Sequence, residues 1–301
     1  MKVFITGASG FIGAHVMQAL LSRGHNVAAL VMPGDPADRL KKTIRHRFET
    51  IDGSVEDAAL LATFLSAFKP DACIHLAWYA EPGLYLHSER NLHSFNASLS
   101  LFQTLIKTGC AQIVAAGTCF EYDTEFGYLH ENTPTRPASL YASAKLSCCL
   151  LGSQLAMQAG CRFAWGRIFY PYGPQEDPRR LVPAAMLALR QGKPFPASPG
   201  AQVRDYIHVA DVATAFCTLM ERQTEGIFNI SSGVPVTIAH LLETVGKLMN
   251  RLDLLQLGEL PYRNWEPPFI CGDNRRLKSF GWEPRYSLGE GLNDTIESFY
   301  R

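Results

Sequence analysis

Tyr141 and Lys145 stand four residues apart in "RPASLYASAK". On a helix, positions i and i+4 are stacked neighbours, so this spacing puts a phenol and an ammonium on one face. A carbonyl that accepts a hydride needs a proton on its oxygen, and the reverse reaction needs that proton removed. A free tyrosine titrates near ~10. Bringing it to about 7 takes roughly 4 kcal/mol, which one ammonium at ~4 Å supplies at an effective dielectric of ~20. The pair reads as an acid/base device in which Lys145 tunes Tyr141 and also holds a nicotinamide ribose. Thr118 closes the β-rich run "QIVAAGT" and is expected to orient the substrate oxygen. The C-terminal ends of strands form the ligand crevice of an open parallel sheet.

A lone Tyr–Lys pair is commonly surface packing. The Gly-rich loop "GASGFIG" gives this one its meaning. Gly7, Gly10 and Gly13 lie between a first strand, "KVFIT", and a first helix, "AHVMQALLSRG". A dinucleotide pyrophosphate needs a tight turn, close backbone approach and a helix N-terminus with free N–H donors. The second strand, "NVAALV", ends without an acid until Asp35, beyond a Pro-Gly turn, while Arg39, Lys41 and Lys42 follow. These cations are candidates for a 2′-phosphate, so the reading leans to NADP(H), with NAD(H) as the alternative.

The elements that must position these groups alternate strand and helix. Further strands are expected near Phe48–Ile51, at "DACIHLAW", at "QIVAAGT" and at "RFAWGRIFY", with helices between them. That order implies parallel βαβ units. The expected fold is α/β, a Rossmann-like doubly wound parallel sheet with a smaller mixed C-terminal substrate lobe. Residues 1–169 form the dinucleotide-binding domain. Residues 170–301 form the lobe, with the stretch 203–232 returning to the first domain. "YPYGPQEDPRR" reads as the boundary loop.

Lys+Arg and Asp+Glu balance at 28 each, so no basic field favours nucleic acid. No apolar stretch reaches the roughly 18 residues of a membrane span, and "MKVFITGASG" is no signal peptide. The eight cysteines lack zinc-site spacing and read as reduced, buried thiols of a cytoplasmic protein. No metal site is expected. His75 is expected to pack at a strand end rather than react.

These residues together resemble an extended short-chain dehydrogenase/reductase of the NAD-dependent epimerase/dehydratase family, which acts on nucleotide-diphosphate sugars. The resemblance covers essentially the whole chain. "TGASGFIG" is similar to the family's cofactor loop, which implies cofactor contacts from Ser9, Phe11 and Ile12 beside the three glycines. "HLAW" stands where the family ends its fourth strand, implying Leu76 and Ala77 at the cofactor and Trp78 at the substrate. "AGTCFEY" with "YASAK" resembles the family's Ser/Thr–Tyr–Lys triad, here Thr118, Tyr141 and Lys145. "VRDYIHVADVA" implies that Arg204 approaches the nucleotide, and Arg263 is implied with it. A homodimer is implied by the resemblance alone.

The departures carry information as well. Cys119 and Phe120 stand where the family's 4,6-dehydratases have Asp and Glu, so acid/base removal of water is not expected. Both remain candidates for substrate contact. Ser54 replaces the aspartate that often meets adenine, leaving Ser54 and Val55 to line that site. Tyr170 and Pro171 replace a common Asn-Val pair, so a substrate-carbonyl contact is expected to be missing or changed, with Tyr170 kept as a substrate-binding candidate. "HLAWYAEPG" and "RIFYPYGPQEDPRR" look more like the family's sugar 4-ketoreductases than its galactose epimerases. The leading expectation is reduction of a nucleotide-diphosphate 4-keto-6-deoxyhexose. A 4-epimerase with tightly held NAD is the alternative, and a non-catalytic cofactor-binding sensor or scaffold is a third.

Overall fold

Strand β1 (Lys2–Thr6) is buried from Val3 to Thr6, as expected of a strand covered on both faces. A computed structural model describes residues 1–44, 48–262 and 266–300. After β1 come α1 (Phe11–Ser22), β2 (Asn26–Val31), α2 (Asp38–Thr43), β3 (Glu49–Asp52) and α3 (Ala58–Phe68). Then follow β4 (Ala72–His75), α4 (Arg90–Lys107), β5 (Gln112–Thr118), β6 (Tyr128–Leu129), α5 (Leu140–Ala159) and β7 (Arg162–Ile168). The second half holds β8 (Tyr170–Tyr172), α6 (Leu181–Arg190), β9 (Phe195–Ala197), β10 (Val203–His208), α7 (Val209–Glu221) and β11 (Gly226–Ile230). It ends with β12 (Pro235–Thr237), α8 (Ile238–Leu248), β13 (Leu255–Leu257), β14 (Cys271–Gly272), α9 (Arg275–Lys278) and α10 (Leu288–Ser298).

Seven strands form one sheet in the order β3-β2-β1-β4-β5-β7-β11, parallel throughout. The fold is α/β and Rossmann-like. Helices cover both faces. Val16, Met17 and Leu20 of α1 pack with Val212, Phe216 and Leu219 of α7 on one side. Leu61, Leu65, Leu101, Phe102, Cys148 and Cys149 from α3, α4 and α5 pack on the other. Strand order reverses between β1 and β4, and the crevice outside their C-terminal ends is where such sheets bind ligands.

The expected strand "DACIHLAW" stops at His75. Leu76 N–H still donates to Thr6 O, but Ala77 N–H turns to the Thr6 hydroxyl, so the ladder ends. The expected strand "RFAWGRIFY" breaks at Phe169. Its N–H bonds to Ile230 O, and its ring is buried with Cys119, Tyr122 and Ile270. The chain there leaves the large sheet for a small one, ordered β12-β10-β8. Pro171 sits in β8, an edge strand, where a missing N–H is tolerated. Within 203–232, α7 and β11 join the layers of the large sheet, whereas β10 belongs to the small one. All eight cysteines are free, and only Cys161 is not fully buried. Among the described residues no helix is long and apolar enough to cross a membrane, and no cluster of His, Cys, Asp and Glu could hold a metal.

Two local constraints fix the crevice. At the glycine loop, Gly7 has φ +70°, and a Cβ there would lie 2.6 Å from Ala77 N. A Cβ on Gly13 would collide with Gly7 O, because α1 starts directly on the loop. At the end of β5, the Glu121 carboxylate accepts from Thr118 N–H at 2.8 Å, Trp165 Nε1 at 3.0 Å and Arg167 Nε at 2.7 Å. Glu121 is 0% and Arg167 1% exposed. Thr118 closes the box by accepting from Phe120 N–H. The Arg167 guanidinium lies 4.1 Å from the centre of the Tyr122 ring. Tyr122 OH donates to Asn229, whose amide donates to Leu129 O and Asp273 O.

Gly13→Ala is expected to cost roughly 2 kcal/mol or more of folding free energy in urea titrations run without cofactor. A wild-type midpoint would mean that α1 can shift away from the loop. Glu121→Gln leaves Arg167 buried without its counter-charge and is expected to cost about 3 kcal/mol. A loss under about 1 kcal/mol would show that the ion pair does not hold the turn.

Candidate active site

Thr118 ends β5 and is nearly buried. Ser139 caps α5 by accepting from Ala142 N–H, and Gly160 ends the helix in the left-handed region. Tyr141 lies in the first turn, with its N–H on Leu86 O at 3.0 Å. Its half-buried phenol lies near the Thr118 side chain, which acts to lower its titration. Lys145, one turn on, is buried. The three residues of the expected triad therefore meet at the C-terminal edge of β5.

Their electrostatics differ from the expectation. Burial pushes the Tyr141 phenol well above its ordinary value, and Tyr85, edge-on at 4.8 Å, adds to the rise. The neighbouring Thr118 side chain opposes it. The Lys145 ammonium donates to Ala116 O at 2.7 Å and sits 3.9 Å from the centre of the Trp78 ring. Burial lowers it to about 8, with Cys148 and Glu121 opposing. In this arrangement the phenol is not tuned downward and stays protonated at neutral pH.

The glycine loop forms the expected dinucleotide side. Gly10 caps α1 without a side-chain bond, and no acid stands in the first turn, so that helix end suits a pyrophosphate. Ser9, Phe11 and Ile12 are half-buried around it, and the Leu76–Ala77 backbone packs directly against Gly7. Asp35 swings back to the loop, where it accepts from Ser9 Oγ at 2.5 Å. Arg39 Nε donates to Gln175 O at 3.1 Å, and Lys41 is exposed. The side chain of Lys42 and the whole of Arg263 lie outside the described residues. Ser54 and Val55 are half-buried just after β3, with Ser54 Oγ accepting from Glu56 N–H.

The expected substrate residues line the side toward the small sheet. Cys119 is buried, and burial pushes its thiol up to about 12, so it brings no charge. Phe120 meets Tyr170 edge-on at 6.0 Å, and Tyr170 meets Tyr206 at 5.9 Å. Arg204 is 4% exposed, lies 5.5 Å from the centre of the Tyr170 ring and has Glu266 at 3.8 Å. His75 is fixed between Thr6 and Ser98, and burial lowers it to about 3, so it is neutral and structural.

Three residues at this site carry no role in the sequence reading. Glu121 was legible as the fourth member of Thr-x-x-Glu, a capping-box spacing. Tyr85 and Asn91 sit in and after a loop with no periodicity to mark them.

The sequence profile of the NAD dependent epimerase/dehydratase family matches residues 3–231. UDP-glucuronic acid decarboxylase 5 of Arabidopsis thaliana is 29% identical over 99% of this chain and 89% of its own. CDP-abequose synthase of Salmonella typhimurium is 25% identical over 98% of this chain and 97% of its own. The crystal structure of UDP-glucose 4-epimerase from Thermotoga maritima with UDP-glucose superposes with a TM-score of 0.88. It is 25% identical and covers 100% of this chain and 99% of that one. The match over most of the chain, on a glycine loop and a Thr–Tyr–Lys crevice already in place, shows that this protein belongs to the NAD dependent epimerase/dehydratase family.

Proposed function

We propose that the protein reduces the 4-keto group of a nucleotide-diphosphate 4-keto-6-deoxyhexose, with Tyr141 as the proton donor. The observation that carries this reading is the Tyr141 phenol, kept protonated by burial, beside Thr118 at the end of β5. Reduction needs an acid at the carbonyl oxygen, whereas oxidation of an alcohol needs a phenolate there. Thr118 and Tyr141 orient the oxygen, and Tyr141 gives its proton to the developing alkoxide. The Lys145 ammonium favours that negative charge. A nicotinamide dinucleotide supplies the hydride when bound. Cys119 and Phe120 offer no acid or base beside Thr118, which speaks against dehydration. The aromatic wall of Phe120, Tyr170 and Tyr206 with Arg204 suits a sugar nucleotide whose phosphates meet a guanidinium.

The cofactor we propose is NAD(H). Asp35 is within hydrogen-bond reach of the glycine loop, where a carboxylate suits a ribose 2′-OH and repels a 2′-phosphate. Arg39 is engaged with Gln175 O. The lean to NADP(H) rested on the absence of an acid at this place and on the cations Arg39, Lys41 and Lys42; Asp35 removes the first of these supports. The same observation favours a second reading, a nucleotide-sugar 4-epimerase that keeps its NAD.

An epimerase releases NAD from the purified protein on denaturation and interconverts C4 epimers with no added cofactor. A reductase consumes NADH in proportion to a keto-sugar nucleotide. We expect the second result; bound NAD with epimer interconversion and no net NADH oxidation would overturn it. Tyr141→Phe is expected to lower turnover by about 10²–10⁴-fold with cofactor affinity unchanged. Near-normal turnover would remove Tyr141 from the chemistry. Because Lys145 is lowered to about 8, its ammonium is lost as pH rises through that value. Reduction is expected to fall along that limb of a pH–rate profile.

A further inference from the structure

Asn91 opens α4 and is 0% exposed. Its side chain is fully used. Oδ1 accepts from Trp78 Nε1 at 2.9 Å. Nδ2 donates to Tyr85 O at 2.6 Å and to Ser88 O at 2.8 Å. Both tethered segments touch the reacting pair. The Trp78 ring covers the Lys145 ammonium at 3.9 Å and meets Tyr141 edge-on at 6.5 Å. Tyr85 lies edge-on to Tyr141 at 4.8 Å, and the next carbonyl, Leu86 O, accepts Tyr141 N–H. Arg180 lies 5.3 Å from the centre of the Tyr85 ring.

We propose that Asn91 is a positioning residue for the proton-transfer pair: its amide pins Trp78 over the Lys145 ammonium and Tyr85 against the Tyr141 phenol. No other described side chain is tied to both segments by hydrogen bonds. Without that anchor the indole is free to leave the ammonium, which then meets water. A buried ammonium that regains water regains its proton affinity, so its titration midpoint rises. The other groups facing Lys145 leave that direction unchanged. Cys148 on α5 and Glu121 after β5 both act to keep its proton, and His75 on β4 is neutral.

This inference rests on the reading of Tyr141 and Lys145 as the reacting pair, but its test observes Lys145 directly. The full chain is labelled with ¹³Cε-lysine, and the Lys145 resonance is identified by its loss in Lys145→Arg. The midpoint is expected near 8 in the wild type and at least one unit higher in Asn91→Leu, with the fold retained by circular dichroism. Trp78→Phe keeps a ring but loses the bond to Asn91, and its midpoint is expected to rise as well. A folded Asn91→Leu with a wild-type midpoint overturns the proposal. If Asn91→Leu does not fold, Trp78→Phe decides alone, and a wild-type midpoint there overturns it. In turnover with a keto-sugar nucleotide, Asn91→Leu is expected to lose about tenfold in kcat with the cofactor KM unchanged. A wild type that reduces no keto sugar would refute the proposed function and leave the Lys145 midpoints to decide the role of Asn91.

Discussion

The Glu121 carboxylate sets the geometry of the site. It has no exposure and is paired with an arginine that is 1% exposed. Desolvating two such charges costs several kcal/mol, offset only when every donor is well placed. Here the donors come from Thr118 N–H, Trp165 and Arg167, so the carboxylate locks the turn after β5 to the neighbouring strand β7. Thr118 cannot rotate away without breaking that set. Its hydroxyl accepts from Phe120 N–H within the same turn. The Arg167–Tyr122–Asn229 chain then ties the same turn to the C-terminal segment at Asp273.

Much of this was legible because the signals are local. Parallel strands buried on both faces are apolar runs, and they alternate with helices at short spacing. Glycines at the first βα junction, Ser139 before α5 and Gly160 after it mark their elements by residue type. The small sheet was not legible. β8, β10 and β12 are three to six residues long and pair only after the chain has folded back. Phe169 interrupts a run that reads as one strand because its ring finds a separate apolar cluster around Cys119 and Ile270. The burial of Arg204 was not legible either: it donates to the carbonyl of its own neighbour Val203, but its counter-charge, Glu266, comes from far along the chain.

The Tyr–Lys pair shows where spacing alone misleads. A shared helix face fixes where two side chains begin, not where their ends go. The attraction that would depress a phenol depends on an ammonium close to it. Lys145 instead directs its ammonium to a backbone carbonyl and an indole face. Burial then dominates both groups, raising the phenol and lowering the ammonium, because each is pushed toward its neutral form. The outcome is a crevice with a protonated phenol at rest.

The dinucleotide end follows a similar logic of chain reversal. Asp35 is too far past β2 to count as a strand-end acid when read in sequence. The turn from Met32, closed by Asp35 N–H on Met32 O with Gly34 at φ +80°, returns it to the glycine loop. There it takes the Ser9 hydroxyl. A 2′-phosphate carries about −1.5 to −2 charges, and a carboxylate near the same site opposes it even after solvent screening. The cation best placed to compensate, Arg39, is bound to Gln175 O and would have to release it first. The Pro-Gly turn that conceals the acid in the sequence is thus what delivers it in the fold, beside the Ser9 hydroxyl of the glycine loop.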